Sequence, residues 1–220
     1  MTDMQMREYL RLYLVLGSVN CKTDPVQVVE EAIRGGVTMV QLREKGRHAL
    51  TGSAKRELAM RIHAVCRSFG VPLIINDDID LALTVDAEGV HIGQEDEPAW
   101  QVRERIGDKI LGLSVHTPKE AEASASWQVD YLGVGPVYPT CSKEDAKEPR
   151  GPAMLRDIRV VNALPMVGIG GITAERTADV IWAGADGIAV ISAITGAEDI
   201  YTAARKLAVA IPPHRLSKGQ

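Results

Sequence analysis

Short apolar, β-branched runs alternate with amphipathic stretches along almost the whole chain. The apolar runs at 12–16, 39–43, 73–76, 89–92, 110–115, 131–134, 166–169 and 187–191 predict strands. Between them, periodic stretches at 25–34, 54–69, 79–84, 99–106, 118–127, 153–162, 174–182 and 200–210 predict helices. Gly35-Gly36, Gly70 and Gly184 stand after a helix and just before a strand, where glycine supplies the left-handed residue that ends a helix. Eight strands alternating with helices imply a parallel sheet. Closure into an α/β (β/α)8 TIM barrel leaves no exposed edge, with an open doubly wound sheet as the alternative. No linker interrupts the series, so residues 1–213 are expected to form one barrel domain, followed by a polar tail at 214–220.

In such barrels chemistry gathers where strands end at their C-terminal side. The second strand ends in Gln41-Leu42-Arg43-Glu44-Lys45, and alternation puts Gln41, Arg43 and Lys45 on one side. That side is an anion site, or else a solvated strand end with an Arg–Glu pair. After the third strand, Asp77 suits a hard oxygen ligand for Mg2+, and equally suits a helix N-cap. Glu95 or Asp96 at the fourth strand end offers a second carboxylate. His91, flanked by apolar residues, reads as a satisfied structural histidine. Ser114 on the fifth strand can hydrogen-bond a substrate, Thr117-Pro118 reads as a helix start, and His116 shows no carboxylate partner.

After the sixth strand, Thr140, Ser142 and Lys143 follow a proline-stiffened turn and suit phosphate recognition. The charged stretch beyond them reads as a mobile loop over the site or as a solvated connection. Cys141 has no base motif that would make it a nucleophile. Gly170-Gly171 and Ile191-Ser192, at the ends of the last two strands, stand where barrels commonly hold phosphate on backbone N–H groups.

Composition narrows the function classes. A chain of 220 residues with 45% hydrophobic and 25% charged residues is ordinary for a globular domain. A net charge of −4 with no basic block gives no nucleic-acid footprint. Three scattered cysteines show neither a disulfide framework nor metal-ligand spacing. No run is apolar enough for a signal peptide or a membrane helix, so a cytoplasmic protein is expected.

Five segments together carry a resemblance: Gln41 to Lys45, Asn76-Asp77-Asp78, His91 to Asp96, Gly135 to Thr140, and Gly168 to Ile172. In this order, within a stretch from Leu12 to Ile211, they resemble the thiamine phosphate synthase family. The resemblance implies a (β/α)8 barrel that condenses a hydroxymethylpyrimidine diphosphate with a thiazole phosphate, using Mg2+. Gln41, Leu42, Arg43, Glu44, Lys45 and Asn76 would then hold the pyrimidine diphosphate. Asp77 and Asp96 would bind Mg2+, Ser114 would contact the pyrimidine, and Lys143 would meet the diphosphate. Arg43, Lys45, Lys143 and Ser114 would act in catalysis, and Thr140, Cys141, Ser142, Gly171, Ile191 and Ser192 would hold the thiazole phosphate. Two departures stand out. Thr140-Cys141-Ser142-Lys143 replaces the usual Thr-x-Thr-Lys, and the first strand exits through Gly17-Ser18-Val19-Asn20 rather than Thr-Asp. A thiazole tautomerase on the same fold is the rival, but needs neither the cationic strand end nor both aspartates. The partners implied are small phosphorylated molecules, with a homo-oligomer left open.

Overall fold

The computed structural model describes residues 1–142 and 147–213. Lys143, the charged residues after it to Ala146, and the expected tail at 214–220 lie outside the described residues. Eight strands pair in parallel and in chain order: β1 (Leu12–Leu16), β2 (Met39–Leu42), β3 (Leu73–Asn76), β4 (Gly89–Ile92), β5 (Ile110–Val115), β6 (Tyr131–Val134), β7 (Met166–Ile169) and β8 (Gly187–Val190). Leu12 of β1 pairs with Ile188 of β8, which closes the barrel and removes the open-sheet alternative. Arg43 and Ile191, read from sequence as strand residues, stand one position past their strands, where the chain turns into the mouth.

Alternation within each strand separates two buried clusters. Leu12, Leu14 and Leu16 face outward into the shell shared with the helices, whereas Tyr13 and Val15 face inward. Met39, Ile74, Ile110, Tyr131 and Val167 join them inside. Each fully buried aliphatic side chain contributes about 1.5–3 kcal/mol, so the register is held from both faces.

The helices begin and end where local chemistry dictates. Helix α2 (Pro25–Gly35) is capped by Asp24, whose Oδ1 accepts from Val26 N at 3.0 Å, and it ends on Gly36 at φ 115°. Helices α3 (Gly52–Phe69), α4 (Ile79–Thr84) and α5 (Ala99–Ile106) follow. Helix α6 (Pro118–Ser124) stops three residues before the predicted end. Ser124 and Ser126 donate back to the Ala121 and Ala123 carbonyls there, offering the backbone an alternative to another turn. Helix α7 (Ala153–Val161) and α8 (Thr177–Trp182) follow, the latter preceded by a 3₁₀ turn at Ala174–Arg176. A one-turn helix α9 (Ser192–Thr195), which the periodicity did not predict, and α10 (Ile200–Ala210) complete the ring.

Helix α1 (Asp3–Leu10) was also not anticipated, because only Met6 and Leu10 are buried on it. Thr2 Oγ1 caps it by accepting from Gln5 N at 3.2 Å. Met6 and Leu10 join the inner cluster with Tyr13, Met39 and Ile110, so α1 closes the N-terminal end of the barrel. The closure is pinned by Asp186, just before β8, whose carboxylate takes Arg7, Arg159 Nη2 at 2.8 Å and Met166 N at 2.8 Å. Removing that carboxylate strands two partly buried guanidinium groups. Asp186→Ala is therefore expected to cost roughly 2 kcal/mol, less than for a fully buried pair because both arginines keep some solvent. Urea unfolding would measure it, and an unchanged midpoint would show the cluster to be idle.

Candidate active site at the barrel mouth

The ends of β2 to β8 converge on a cavity of about 270 Å³. Arg43 and Lys45 enter it from β2. Leu42 points outward into the shell, as alternation requires, and Glu44 turns to the neighbouring loop. Glu44 there accepts from Ser18 N, from Ser18 Oγ at 2.9 Å and from Leu50 N at 2.8 Å. The unusual first-strand exit thus acquires a task. Gly17 lets the chain run against the Arg43 carbonyl, where a methyl group would overlap it, and Ser18 ties down Glu44 between the two cations.

Asp77 sits at φ 60°, a left-handed conformation that aspartate tolerates better than most residues. Its backbone N donates to His91 O at 2.9 Å. The helix cap considered for it falls instead to Asp78, which accepts from Leu81 N at 3.0 Å and pairs with Lys55 Nζ at 2.7 Å. Asp77 consequently faces the cavity, with its Oδ2 3.0 Å from Lys45 Nζ. Burial, aided by the neighbouring Asp96 carboxylate, raises its pKa above the usual carboxylate range, against the pull of Lys45. Asp96 is held by Gly93 N, which donates to its Oδ2 at 2.7 Å. Asn76 lines the same end.

Deeper in, the side chains of Ser114 and His91 form the cavity wall. His91 Nε2 lies 2.9 Å from Ser114 Oγ, and its Nδ1 lies 2.9 Å from Tyr131 Oη. Tyr131 Oη is 2.8 Å from Tyr13 Oη, which accepts from Gln41 Nε2 at 2.7 Å. Gln41 is thus buried one layer below the cavity rather than exposed in it. Gln94 Nε2 fixes the Ser114 carbonyl at 2.7 Å, and His116 Nδ1 donates to Gly135 O at 2.5 Å.

The opposite rim is built from backbone. Gly170 at φ 102° and Gly171 at φ 61° pass so close to Pro136 and Pro139 that any side chain would collide. Ser142 Oγ meets Ser192 Oγ at 2.9 Å, joining the loop after β6 to the end of β8. Thr140, Ser142, Gly171, Ile191 and Ser192 all line the cavity, whereas exposed Cys141 does not.

Of the residues expected from sequence, the structure therefore gathers Arg43, Lys45, Asn76, Asp77, Asp96, Ser114 and the phosphate-end group. Gln41, Leu42, Glu44 and Cys141 stand outside the cavity wall. His91 and His116, read from sequence as structural, and Gln94 and Lys147, given no site role, line it as well. His91 lies within β4 and His116 directly follows β5, so position along a strand was the available signal. Among the described residues no three His, Cys, Asp or Glu side chains cluster as a metal cage, and no helix is long and apolar enough to cross a membrane.

Residues 12–194 match the family described as thiamine monophosphate synthase. The chain belongs to that family. It is 51% identical over 211 residues to a thiamine-phosphate synthase of Geobacillus thermodenitrificans, covering 96% of each chain. It is 52% identical over 208 residues to the thiamine-phosphate synthase of Geobacillus kaustophilus, covering 94% of each. Among solved structures, a thiamine phosphate pyrophosphorylase from Pyrococcus furiosus superposes with a TM-score of 0.83 at 34% identity, over 93% of this chain and 96% of that one. As a member of the thiamine monophosphate synthase family, the chain is an enzyme, as its five motifs led one to expect.

Proposed function

We propose that the chain joins 4-amino-5-hydroxymethyl-2-methylpyrimidine diphosphate to 4-methyl-5-(2-phosphoethyl)thiazole, forming thiamine phosphate and releasing diphosphate. The observation that carries this reading is a single cavity with two anion-binding ends of different character. One end has Arg43, Lys45 and the Asp77–Asp96 pair; the other has glycine backbone and hydroxyls. A tautomerase acting on the thiazole alone would leave the first end without a task.

In this reading Arg43 and Lys45, with Lys143, neutralise charge that develops on the departing diphosphate. The bond from the pyrimidine methylene to oxygen breaks, and both electrons leave with the diphosphate. Electron release from the aminopyrimidine supports the methylene cation, and the thiazole nitrogen lone pair closes the new C–N bond. No proton must be removed from the nucleophile, which accounts for the absence of a nucleophile–base pair among the assigned residues. Ser114 and Asn76 orient the pyrimidine end. Leu42 and Glu44 serve indirectly, by placing Arg43 and Lys45. Thr140, Ser142, Gly171, Ile191 and Ser192 bracket the thiazole phosphate, and Cys141, outside the cavity wall, serves only as the link between Thr140 and Ser142.

Asp77 and Asp96 fit Mg2+. They are hard oxygen donors held close enough that one raises the pKa of the other, and the ion needs only one or two carboxylates besides phosphate and water. When bound, Mg2+ supplies further positive charge to the diphosphate. The reading places the chain in the cytoplasm, in keeping with free Cys21, Cys66 and Cys141.

The deciding measurement is diphosphate release on mixing both substrates with Mg2+. A folded protein that releases none sinks the proposal. Arg43→Lys keeps the charge but loses the planar two-point contact, so kcat/KM for the pyrimidine diphosphate is expected to fall at least about tenfold. An unchanged value would show that charge alone suffices at this position.

A further inference from the structure

Four buried side chains, Gln41, Tyr13, Tyr131 and His91, run from the barrel interior to half-buried Ser114 in the cavity wall. Gly112 makes room for the central contact, because a methyl group there would overlap both the Tyr131 ring and His91 Nδ1. The direction of every bond follows from one end. The Gln41 amide nitrogen can only donate, so Tyr13 Oη accepts from it and must pass its own hydrogen to Tyr131. Were Tyr131 to donate to Tyr13 instead, the Tyr13 hydrogen would be buried without an acceptor among the described residues. Burial pushes both phenols above their ordinary range, so both keep their protons. Tyr131 therefore gives its hydrogen to His91 Nδ1, which leaves the ring proton on Nε2, and Nε2 donates to Ser114 Oγ. With one lone pair taken from below, the Ser114 hydroxyl turns its hydrogen to the cavity.

We propose that Gln41, Tyr13, Tyr131 and His91 are positioning residues that fix the Ser114 hydroxyl as a hydrogen-bond donor to an unprotonated ring nitrogen of the pyrimidine. The inference rests on the placement of the pyrimidine given above. Gln41 then acts four side chains away, through Ser114, rather than by touching the diphosphate. The opposite amide orientation would reverse every bond and make Ser114 an acceptor, so the polarity is a measurable property of the protein.

The first test needs no substrate. Long-range proton–nitrogen spectra of the 15N-labelled wild type, with the His91 signal assigned by its loss in His91→Gln, read the tautomer. A bare Nδ1 and a protonated Nε2 are expected, and a proton on Nδ1 would overturn the proposal even if no variant folds. The second test is kinetic. Tyr131→Phe frees the tautomer and is expected to lower kcat/KM for the pyrimidine diphosphate about tenfold, leaving KM for the thiazole phosphate unchanged. The same change made in Ser114→Ala should cost nothing more, because its effect passes through the missing hydroxyl. An equal loss in both backgrounds would show that Tyr131 acts by general packing. Wild-type diphosphate release tests the reaction separately, so failure of that reading and failure of the relay are distinguishable.

Discussion

Asp77→Asn is expected to lower turnover about a thousandfold while leaving the unliganded protein at least as stable as before. A thousandfold corresponds to roughly 4 kcal/mol of transition-state stabilisation, the scale expected when a diphosphate loses its metal ligand. The stability side follows from the raised pKa of Asp77. A carboxyl that holds its proton more tightly when folded contributes stability below its unfolded pKa of about 4, and that contribution is lost as pH rises through the folded value. At neutral pH the ionised group opposes folding, so asparagine relieves it, and asparagine also accepts the left-handed backbone at φ 60°. The lost pairing with half-exposed Lys45 offsets less than about 1 kcal/mol. Asp96→Ala should lose turnover similarly but melt earlier, because Asp96 also accepts from Gly93 N. Thermal melts at pH 7 without metal, beside diphosphate release, measure both effects. Retained turnover in Asp77→Asn would remove Asp77 from the metal site, and a clearly lower melting point would refute the claim that its charge opposes folding.

Gly187→Ala is expected to cost about 3 kcal/mol, a fall in Tm of roughly 10 °C for a chain of this size. A methyl group at the start of β8 would overlap the Leu10 carbonyl, which is backbone and has no rotamer with which to yield. The damage should be confined to the sealed end. Activity per folded molecule at 25 °C should stay near that of the wild type, since the cavity is formed at the other ends of the strands. A variant with normal Tm would show that α1 shifts freely and that the closure is loosely held. A stable but inactive variant would mean the two ends are coupled.

The strands were legible because each alternates or runs apolar between glycine and proline signals, and their ends differ from expectation by one residue only at Arg43 and Ile191. Helix α1 was hidden because two buried residues in eight make too weak a stripe to detect. The mouth residues were legible as types at strand ends, but their partners were not. Nothing in the order Asn76-Asp77-Asp78 says which aspartate caps α4, since that is decided by the left-handed turn at Asp77. Glu44 looked like a partner for its neighbouring arginine and is instead bound to Ser18, a contact 26 positions away in the chain. The run from Gln41 to Ser114 was likewise invisible, because it joins five strands, and nothing in the local sequence pairs Gln41 or Ser114 with Tyr13, Tyr131 or His91.

The plug formed by Met6 and Leu10 also governs traffic. With the N-terminal end closed, the cavity described here is reached from the mouth, and whatever settles deepest must arrive first and depart last. Ser114 and His91 lie within strands, whereas Thr140, Ser142 and Ser192 stand on the rim. If the substrates sit as proposed above, a pyrimidine on Ser114 would be covered by the thiazole that follows it. In that proposed arrangement the pyrimidine loads before the thiazole, because α1 seals the other end of the barrel.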